Sequence, residues 1–158
     1  MTTQENSQNR IWIDADACPG QVKEVVYKAS LRTKTPVVMV ANQFMQVSKS
    51  KLVSFVKVDA GADVADAYIK DHALSGDIVV TADVPLAADL VEKGCSVVTP
   101  SGKTFDSSNV TEALSVRNFM QDLRDSGVQT GGPPGFSTKQ KQNFANALDR
   151  LLTKMIRQ

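Results

Sequence analysis

Five short apolar segments, rich in β-branched residues, alternate with helix-like segments along most of this 158-residue chain. They are RIWIDA (10–15), VVMVA (37–41), a weaker run at 53–58, DIVVTAD (77–83) and CSVVT (95–99). Strands that alternate with helices are joined by right-handed crossovers, which make neighbouring strands parallel and place helices on both faces. The pattern therefore predicts an α/β fold, a three-layer α/β/α sandwich around a parallel, mostly five-stranded sheet.

Helix signals accompany the strands and continue beyond the last of them. The first predicted helix has Pro19 in its first turn. The other four run from about Asp63 to Ala73, over VPLAADLVEK (84–93), over about 108–125 and over about 138–156. Ser137 and Gln140 form a capping-box signature before the last helix. The two C-terminal helices carry apolar stripes at helical spacing, Val110, Ala113, Val116, Met120 and Leu123 in one, and Phe144, Ala147, Leu148, Leu151 and Met155 in the other.

Length and composition indicate one domain with room for a core, since 42% of the residues are hydrophobic. We expect residues 1–9 to be a disordered extension and residues 10–158 to form a single domain.

No segment resembles a signal peptide or a membrane span. Cys18 and Cys95 lack the spacing of a zinc site or a disulfide scaffold, which favours a cytoplasmic protein with reduced thiols. Cys18, near a helix start, is either a reactive thiolate or a buried, inert thiol.

Acidic residues stand where predicted strands end. Asp14 and Asp16 follow the first strand, and Asp83 follows the fourth. In open parallel sheets the carboxyl ends of the strands meet at one edge, and ligands bind there. These acids also have a simpler interpretation, because aspartate is a favoured helix cap.

A further acidic pair, Asp63 and Asp66, lies at the start of a predicted helix. A spacing of three residues places both side chains on one face, where they can reach a single ion. Acids in the first turn also complement the helix dipole and need no metal. Both interpretations stay open on the sequence alone.

Carboxylates that converge from separate segments repel one another, by roughly 4 kcal/mol for two charges about 4 Å apart at a partly buried site. A divalent cation removes this cost, and an all-oxygen donor set suits Mg²⁺ or Mn²⁺ better than zinc. We therefore predict a metal site formed by Asp14, Asp16, Asp63, Asp66 and Asp83. We interpret Asp14 and Asp83 as catalytic too, with Asn42 orienting a water molecule or a phosphate oxygen, although a lone asparagine can equally cap a turn.

Charge is unevenly distributed, although the formal net charge is only +1. Residues 59–92 contain eight acids and one base, for a net of −7, and residues 137–158 contain five bases and one acid, for a net of +4. This pattern suits a metal site beside a surface that faces phosphates. The candidate contacts to RNA or another nucleic acid are Lys103, Arg117, Arg150 and Lys154. A solvated helix face explains the last two equally well.

Several of these segments, taken in order, resemble one protein family. The bacterial YaiI/YqxD family has motifs similar to DADACP (14–19), VAN (40–42), AGADVAD (60–66), TADVPLA (81–87) and TGGPPGF (130–136). The resemblance runs from Arg10 nearly to the C-terminus, with Gly135 where a third proline is expected. It implies a PIN-like fold, the α/β sandwich of metal-dependent nucleases. By this resemblance Asp16 belongs to the family's own motif, and the acidic positions of such nucleases are matched by Asp14, Asp63, Asp66 and Asp83.

Three functions remain open at this point. The preferred one is a Mg²⁺- or Mn²⁺-dependent phosphodiesterase or nuclease that acts on RNA. The second is a non-catalytic RNA-binding or partner-binding module that keeps the acids for capping or for metal-dependent folding. The third is a phosphatase of the haloacid-dehalogenase type, with Asp14 and Asp16 as nucleophile and acid. It fits less well, because Asn42 stands where that chemistry uses Ser or Thr.

Overall fold

The computed structural model describes residues 8–61, 63–127 and 137–156 of the chain. Residues 1–7 of the predicted extension and the TGGPPGF motif at 130–136 lie outside the described residues.

Six strands form one sheet in the described part of the chain. Their bounds are Ile11–Asp14 (β1), Val37–Ala41 (β2), Val53–Lys57 (β3), Ile78–Val80 (β4), Ser96–Val98 (β5) and Thr104–Phe105 (β6). The first five are the predicted strands, and β2 has the predicted bounds. The sixth pairs antiparallel with β5 and was not predicted, because two residues are too few to show a periodic pattern.

The five predicted helices are present. Their bounds are Gly20–Thr33 (α1), Val64–His72 (α2), Val84–Lys93 (α3), Val110–Asp125 (α4) and Thr138–Ile156 (α5). A one-turn 3₁₀-helix, Ala15–Ala17, joins β1 to α1. The predicted capping box is formed, since the backbone N–H of Gln140 donates to Ser137 Oγ and that of Ser137 donates to Gln140 Oε1, each at 3.1 Å.

The strand order is β3-β2-β1-β4-β5-β6. β1 pairs in parallel with β2 on one side and with β4 on the other, and β3 and β5 extend the sheet in parallel at either side. The chain therefore builds outward from β1 to β3, then returns and builds in the opposite direction from β4. The carboxyl ends of β1 and β4 flank the topological switch point, where sheets of this kind bind ligands.

Helices cover both faces of the sheet, which confirms the predicted three layers. Ile11 and Ile13 of β1 pack with residues of α1 and α5 on one face. Trp12 packs on the other face with residues of α2, α3 and α4. Because side chains alternate along a strand, Asp14 belongs to the same face as Trp12. The end of β1 therefore presents a carboxylate on the side of the sheet that α2 and α3 cover.

The helix α4 is less buried than its apolar stripe predicted. Val110 is buried and Ala113 packs against the core, but Val116 is 55% exposed. Phe119, outside the predicted stripe, is 61% exposed. The expectation that Val116 faces the core was wrong, because α4 packs mainly on α3 at the margin of the sheet.

One carboxylate in the described part of the chain is completely buried, that of Asp77 at the amino end of β4. Its Oδ1 accepts hydrogen bonds from Asn9 Nδ2 at 2.8 Å and from the backbone N–H of Arg10 at 3.0 Å. Its Oδ2 accepts from Trp12 Nε1 at 2.9 Å and from the backbone N–H of Leu74 at 2.8 Å. Four donors satisfy both oxygens, which makes the burial tolerable. Asp77 therefore ties the amino end of β4 to that of β1.

We predict that Asp77→Ala lowers the free energy of unfolding by about 3 kcal/mol or more, because each buried donor left without an acceptor costs about 1–3 kcal/mol. Urea denaturation measures the change. The control is Asp71→Ala, on the exposed surface of α2, which should stay within about 0.5 kcal/mol of wild type. Equal unfolding midpoints for the two variants would contradict this role of Asp77.

Candidate metal centre at the carboxyl edge of the sheet

The switch point between β1 and β4 brings three separate segments of the chain together. Asp14 ends β1, and Asp83 follows β4 as the N-cap residue of α3. Asp63 and Asp66 lie at the start of α2. Because α2 packs on α3 and on β1, these side chains share one neighbourhood at the carboxyl edge of the sheet.

The tightest group consists of Asp63, Asp66 and Asp83. One carboxylate oxygen of each residue lies within 4.8 Å of the oxygens of the other two. Asp66 and Asp83 are half-buried, whereas Asp63 is exposed. Opposite ligands of an octahedral Mg²⁺ lie about 4.2 Å apart, since each bond is about 2.1 Å long. Adjacent ligands lie about 3.0 Å apart, so the three oxygens, mutually within 4.8 Å, would bind one ion after small movements of the side chains.

Asp63 has a left-handed backbone, with φ 69° and ψ 3°, a conformation common for glycine and rare for L-residues other than asparagine and aspartate. It precedes α2, but its carboxylate makes no hydrogen bond that caps the helix. Asp63 therefore does not act as a side-chain cap, and its carboxylate is directed to the acidic group instead.

Asp83, in contrast, is a cap. Its Oδ1 accepts a hydrogen bond from the backbone N–H of Leu86 at 2.8 Å, and its own N–H donates to Thr81 Oγ1 at 3.1 Å. Pro85 occupies the first turn of α3, where its missing N–H costs nothing. A cap occupies only part of the acceptor capacity of a carboxylate. Asp83 can therefore cap α3 and also contribute an oxygen to the acidic group.

The negative charges of these three carboxylates repel one another. Burial, followed by the charges of Asp83 and Asp14, raises the pKa of the Asp66 carboxyl from 3.8 to about 7. A hydrogen bond with Asp83 and the charge of Asp63 act in the same direction. Without a cation, Asp66 therefore keeps its proton up to near neutral pH. A divalent ion among these oxygens would take the place of that proton.

Asp14 lies beside this group and is half-buried. Burial raises its pKa, and the charges of Asp16 and Asp83 add to the increase. The Thr81 hydroxyl donates to Asp14 Oδ2 over a long 3.5 Å and acts in the opposite direction. Asp14 is not one of the three residues whose oxygens lie mutually within 4.8 Å. It therefore contributes its charge to the site from the end of β1.

Asp16 is exposed in the 3₁₀ turn after β1 and lies outside the three-aspartate group. Its Oδ2 accepts a hydrogen bond from the backbone N–H of Asn42 at 2.7 Å. This contact ties the end of β1 to the end of β2. Asn42 is consequently held at the same edge of the sheet as Asp14, one strand away.

A cavity of about 350 Å³ opens beside the acidic group. Its walls are formed by Asp63, Asp66, Ala67, Lys70, Asp83, Pro85, Leu86, Asp89 and Arg117. Lys70 pairs with Asp89 at 3.4 Å. Arg117 is the one predicted nucleic-acid contact that lines this cavity, so the fold places a cation opposite the predicted metal ligands.

The other predicted nucleic-acid contacts lie elsewhere. Lys103 and Arg150 line a second cavity, between the turn after β5 and α5. Lys154 is exposed on α5. Hydrogen bonds from Ser108 lower the pKa of the Asp106 carboxyl, and the charge of Lys154 adds a smaller contribution. The structure therefore divides the predicted basic residues between two surfaces.

Neither cysteine is a reactive thiolate. Both thiols are free and buried. Burial raises the pKa of Cys18 to about 12 and that of Cys95 to about 11. The position of Cys18 just before α1 does not offset the loss of hydration, so the inert interpretation of this thiol is the one that the structure supports.

Thr81 is a residue of the site that the sequence patterns did not indicate. It is buried, its hydroxyl contacts the Asp14 carboxylate, and the same hydroxyl accepts from the backbone N–H of Asp83. Its place in the TADVPLA motif, two residues before Asp83, was the available signal.

Fold and site together define a class, the three-layer α/β/α proteins that carry a carboxylate cluster at the switch point of a mainly parallel sheet. The chain belongs to the YaiI/YqxD family. The family model described as "Uncharacterized BCR, YaiI/YqxD family" matches residues 12–154, which confirms the resemblance seen in the motifs.

Curated relatives match the chain over nearly its whole length. A UPF0178 protein of Myxococcus xanthus is 52% identical over 148 residues, which are 94% of this chain and 97% of the relative. A UPF0178 protein of Dechloromonas aromatica is 49% identical over 146 residues, 92% of this chain and 97% of the relative. No solved structure matches the chain. Among the described residues, no helix combines the length and apolar character needed to span a membrane.

We predict that, in the presence of a chelator, the free energy of unfolding falls as the pH rises from about 5 to about 8. The folded protein keeps a proton on Asp66 up to a pH of about 7, whereas the unfolded chain releases it near 3.8. Stability is therefore lost across this window, and the raised pKa of Asp14 acts with the same sign. Urea denaturation at several pH values measures the decline.

The variant Asp66→Asn, which cannot ionise, should remove most of this pH dependence, and Asp71→Asn in the same helix should leave it unchanged. If the free energy of unfolding of the wild type instead rises between about pH 5 and pH 8, the carboxylates do not repel one another in the folded protein.

Proposed function

We propose that this protein is a Mg²⁺- or Mn²⁺-dependent phosphodiesterase that cleaves RNA. The observation that carries the proposal is the close approach of Asp63, Asp66 and Asp83, within 4.8 Å, at the switch point of the sheet. Arg117 in the same cavity supports it, because a phosphodiester substrate needs a cationic partner. The PIN-like fold of metal-dependent nucleases, which the family resemblance implies, supports RNA as the substrate.

The donor set fits a hard divalent cation. The candidate ligands are carboxylates, and neither histidine nor cysteine lines the cavity within the described residues. Mg²⁺ binds through few carboxylates and keeps positions for water and for substrate phosphate. Asp63, Asp66 and Asp83 would hold the ion, while Asp14 would add its negative charge from the end of β1. Asp16 would act through its bond to Asn42.

When bound, the ion would supply positive charge that lowers the pKa of a water molecule and neutralises the charge that develops on the phosphate. The remaining tasks fall to the chain. Asp14, whose pKa is raised by burial, would accept the proton that the attacking water loses. Arg117 would orient the phosphate oxygens, and the Asn42 side chain would orient the water or a phosphate oxygen from the end of β2.

The rival function is a non-catalytic binding module in which the acids are structural. Asp83 favours it in part, since this residue caps α3, and so does Asp16, which ties β1 to β2. Asp63 does not, because its carboxylate caps nothing in its helix. The phosphatase alternative has less support, because the Asp16 carboxylate is occupied by the backbone of Asn42.

We predict that the wild-type protein cleaves labelled single-stranded RNA with Mn²⁺, and that Asp14→Asn and Asp63→Asn each lower the rate by about 100-fold or more, because the first removes the proton acceptor and the second a metal ligand. Asparagine tolerates the left-handed backbone of position 63, so the second variant changes charge without adding strain. Asp71→Asn, an exposed acid of α2 outside the site, should cleave at the wild-type rate.

Equal turnover by the wild type and Asp14→Asn would remove the proposal. Binding of RNA by the wild type with no product at any pH would favour the non-catalytic module instead.

We also predict that Mn²⁺ raises the Tm, and does so more at about pH 8 than at about pH 6, because the ion must displace the proton held on Asp66. At a concentration one hundred times its Kd, the ion should stabilise the protein by about 2.7 kcal/mol. Thermal melts of Asp63→Asn and Asp66→Asn should show a smaller shift. A full shift in both variants would place the ion elsewhere.

A further inference from the structure

The second cavity also has a volume of about 350 Å³, but its lining is basic, whereas that of the first cavity is mainly acidic. It is lined by Ser101, Gly102, Lys103, Asn143, Asn146 and Arg150. Two cations, two carboxamides and a hydroxyl line it, and no carboxylate does so among the described residues. A set with a charge of +2 and several N–H donors is complementary to a phosphate group.

The cavity exists because a turn lies tightly against α5. Gly102 has φ +95°, and a Cβ at this position would lie 2.6 Å from the carbonyl carbon of Asn143. Glycine is required for this approach and for this backbone conformation. The turn is held by two bonds to Thr99, from the N–H of Gly102 to its carbonyl at 2.9 Å and from the N–H of Lys103 to its hydroxyl at 3.1 Å. The floor of the cavity is therefore preorganised.

One wall of the cavity consists of side chains from a single face of α5. Asn143, Asn146 and Arg150 lie on one face of this helix, at spacings of three and four residues. The other face carries Phe144 and Leu148 into the core, which fixes the rotation of the helix. Neither Lys103 nor Arg150 is in an ion pair with an acid of the described residues. Lys103 Nζ lies 5.5 Å from the centroid of the Phe105 ring, and no described acid neutralises either cation.

The cavity lies on the same edge of the sheet as the acidic group. β5 pairs in parallel with β4, so the residue that follows β5 lies beside the one that follows β4. The cavity opens on the face that α5 covers and the acidic group on the face that α2 and α3 cover, so a ligand that contacts both crosses this edge of the sheet. Thr81 connects the end of β5 to the acidic group. Its N–H donates to the carbonyl of Val98 at 3.1 Å, while its hydroxyl holds Asp83.

We propose that this cavity binds a phosphate of a single-stranded nucleic acid whose scissile phosphate lies at the acidic group, an inference that rests on the proposed function. Lys103 and Arg150 contact the phosphate oxygens, and the two asparagines donate to the same group or to its sugar. The acidic group repels phosphates in the absence of a cation. Binding of the strand without metal therefore depends on this second cavity.

The test is the affinity for a labelled single-stranded RNA of about twelve nucleotides, measured in a chelator so that nothing is cleaved. Lys103→Gln/Arg150→Gln should weaken binding by about five- to tenfold and lower the slope of log Kd against log salt by about 0.7 for each phosphate that the variant no longer neutralises. The matched control is Lys28→Gln/Lys51→Gln, which removes the same charge from exposed positions away from the cavity and should leave the slope unchanged.

Equal reductions of affinity in both double variants would mean unspecific attraction and would overturn the inference. Unchanged affinity in Lys103→Gln/Arg150→Gln, with RNA still cleaved in Mn²⁺, would overturn it and leave the proposed function intact. A wild type that neither binds nor cleaves RNA would remove both. Inorganic phosphate is the second probe, followed through the backbone amide signals of Gly102 and Lys103. Binding of inorganic phosphate as tight as that of RNA would assign the cavity to free phosphate and overturn the nucleic-acid ligand.

Discussion

The parallel register of β1 and β4 is the constraint on which the rest of the molecule depends. At the amino ends, the buried Asp77 carboxylate accepts from Trp12 Nε1 and from the backbone of Arg10, which holds one strand against the other. At the carboxyl ends, the same register places Asp14 near Asp83. A shift of one residue would turn every side chain of β1 to the opposite face, and Asp14 would then lie towards α1 and α5.

The acidic residues at the carboxyl edge of the sheet repel one another, so bringing them together costs free energy. Burial and the neighbouring acids raise the pKa of Asp66 to about 7, and the left-handed backbone of Asp63 costs about 1–2 kcal/mol more. The two apolar layers on either face of β1 and the satisfied network of Asp77 offset these costs. Local strain and opposed charges that persist in an otherwise well-satisfied fold are typical of functional sites. On the same edge, the cavity lined by Lys103 and Arg150 has the opposite charge.

The sequence predicted some features of the fold and site closely and others not at all. VVMVA (37–41) forms β2 with the expected bounds, because a strand covered on both faces is apolar throughout. The two interpretations of Asp83, cap and site residue, proved compatible rather than exclusive. The prediction that Val116 faces the core was wrong, because an apolar stripe does not reveal whether another element covers it. The contact of Gly102 with Asn143 joins positions 41 residues apart, and no local pattern in the turn indicates it.

By itself, the sequence determined the first five strands, the helices and the places where acids follow strands, because these depend on neighbours a few residues away. Only the tertiary structure decided which acids approach one another, why the Asp66 pKa is raised, that Asp16 binds Asn42 instead of joining the group, and that the basic residues separate into two surfaces. These properties depend on strand order and helix packing between distant segments. Electrostatic interactions and contacts act through space over a few ångströms, and the sequence does not record those distances.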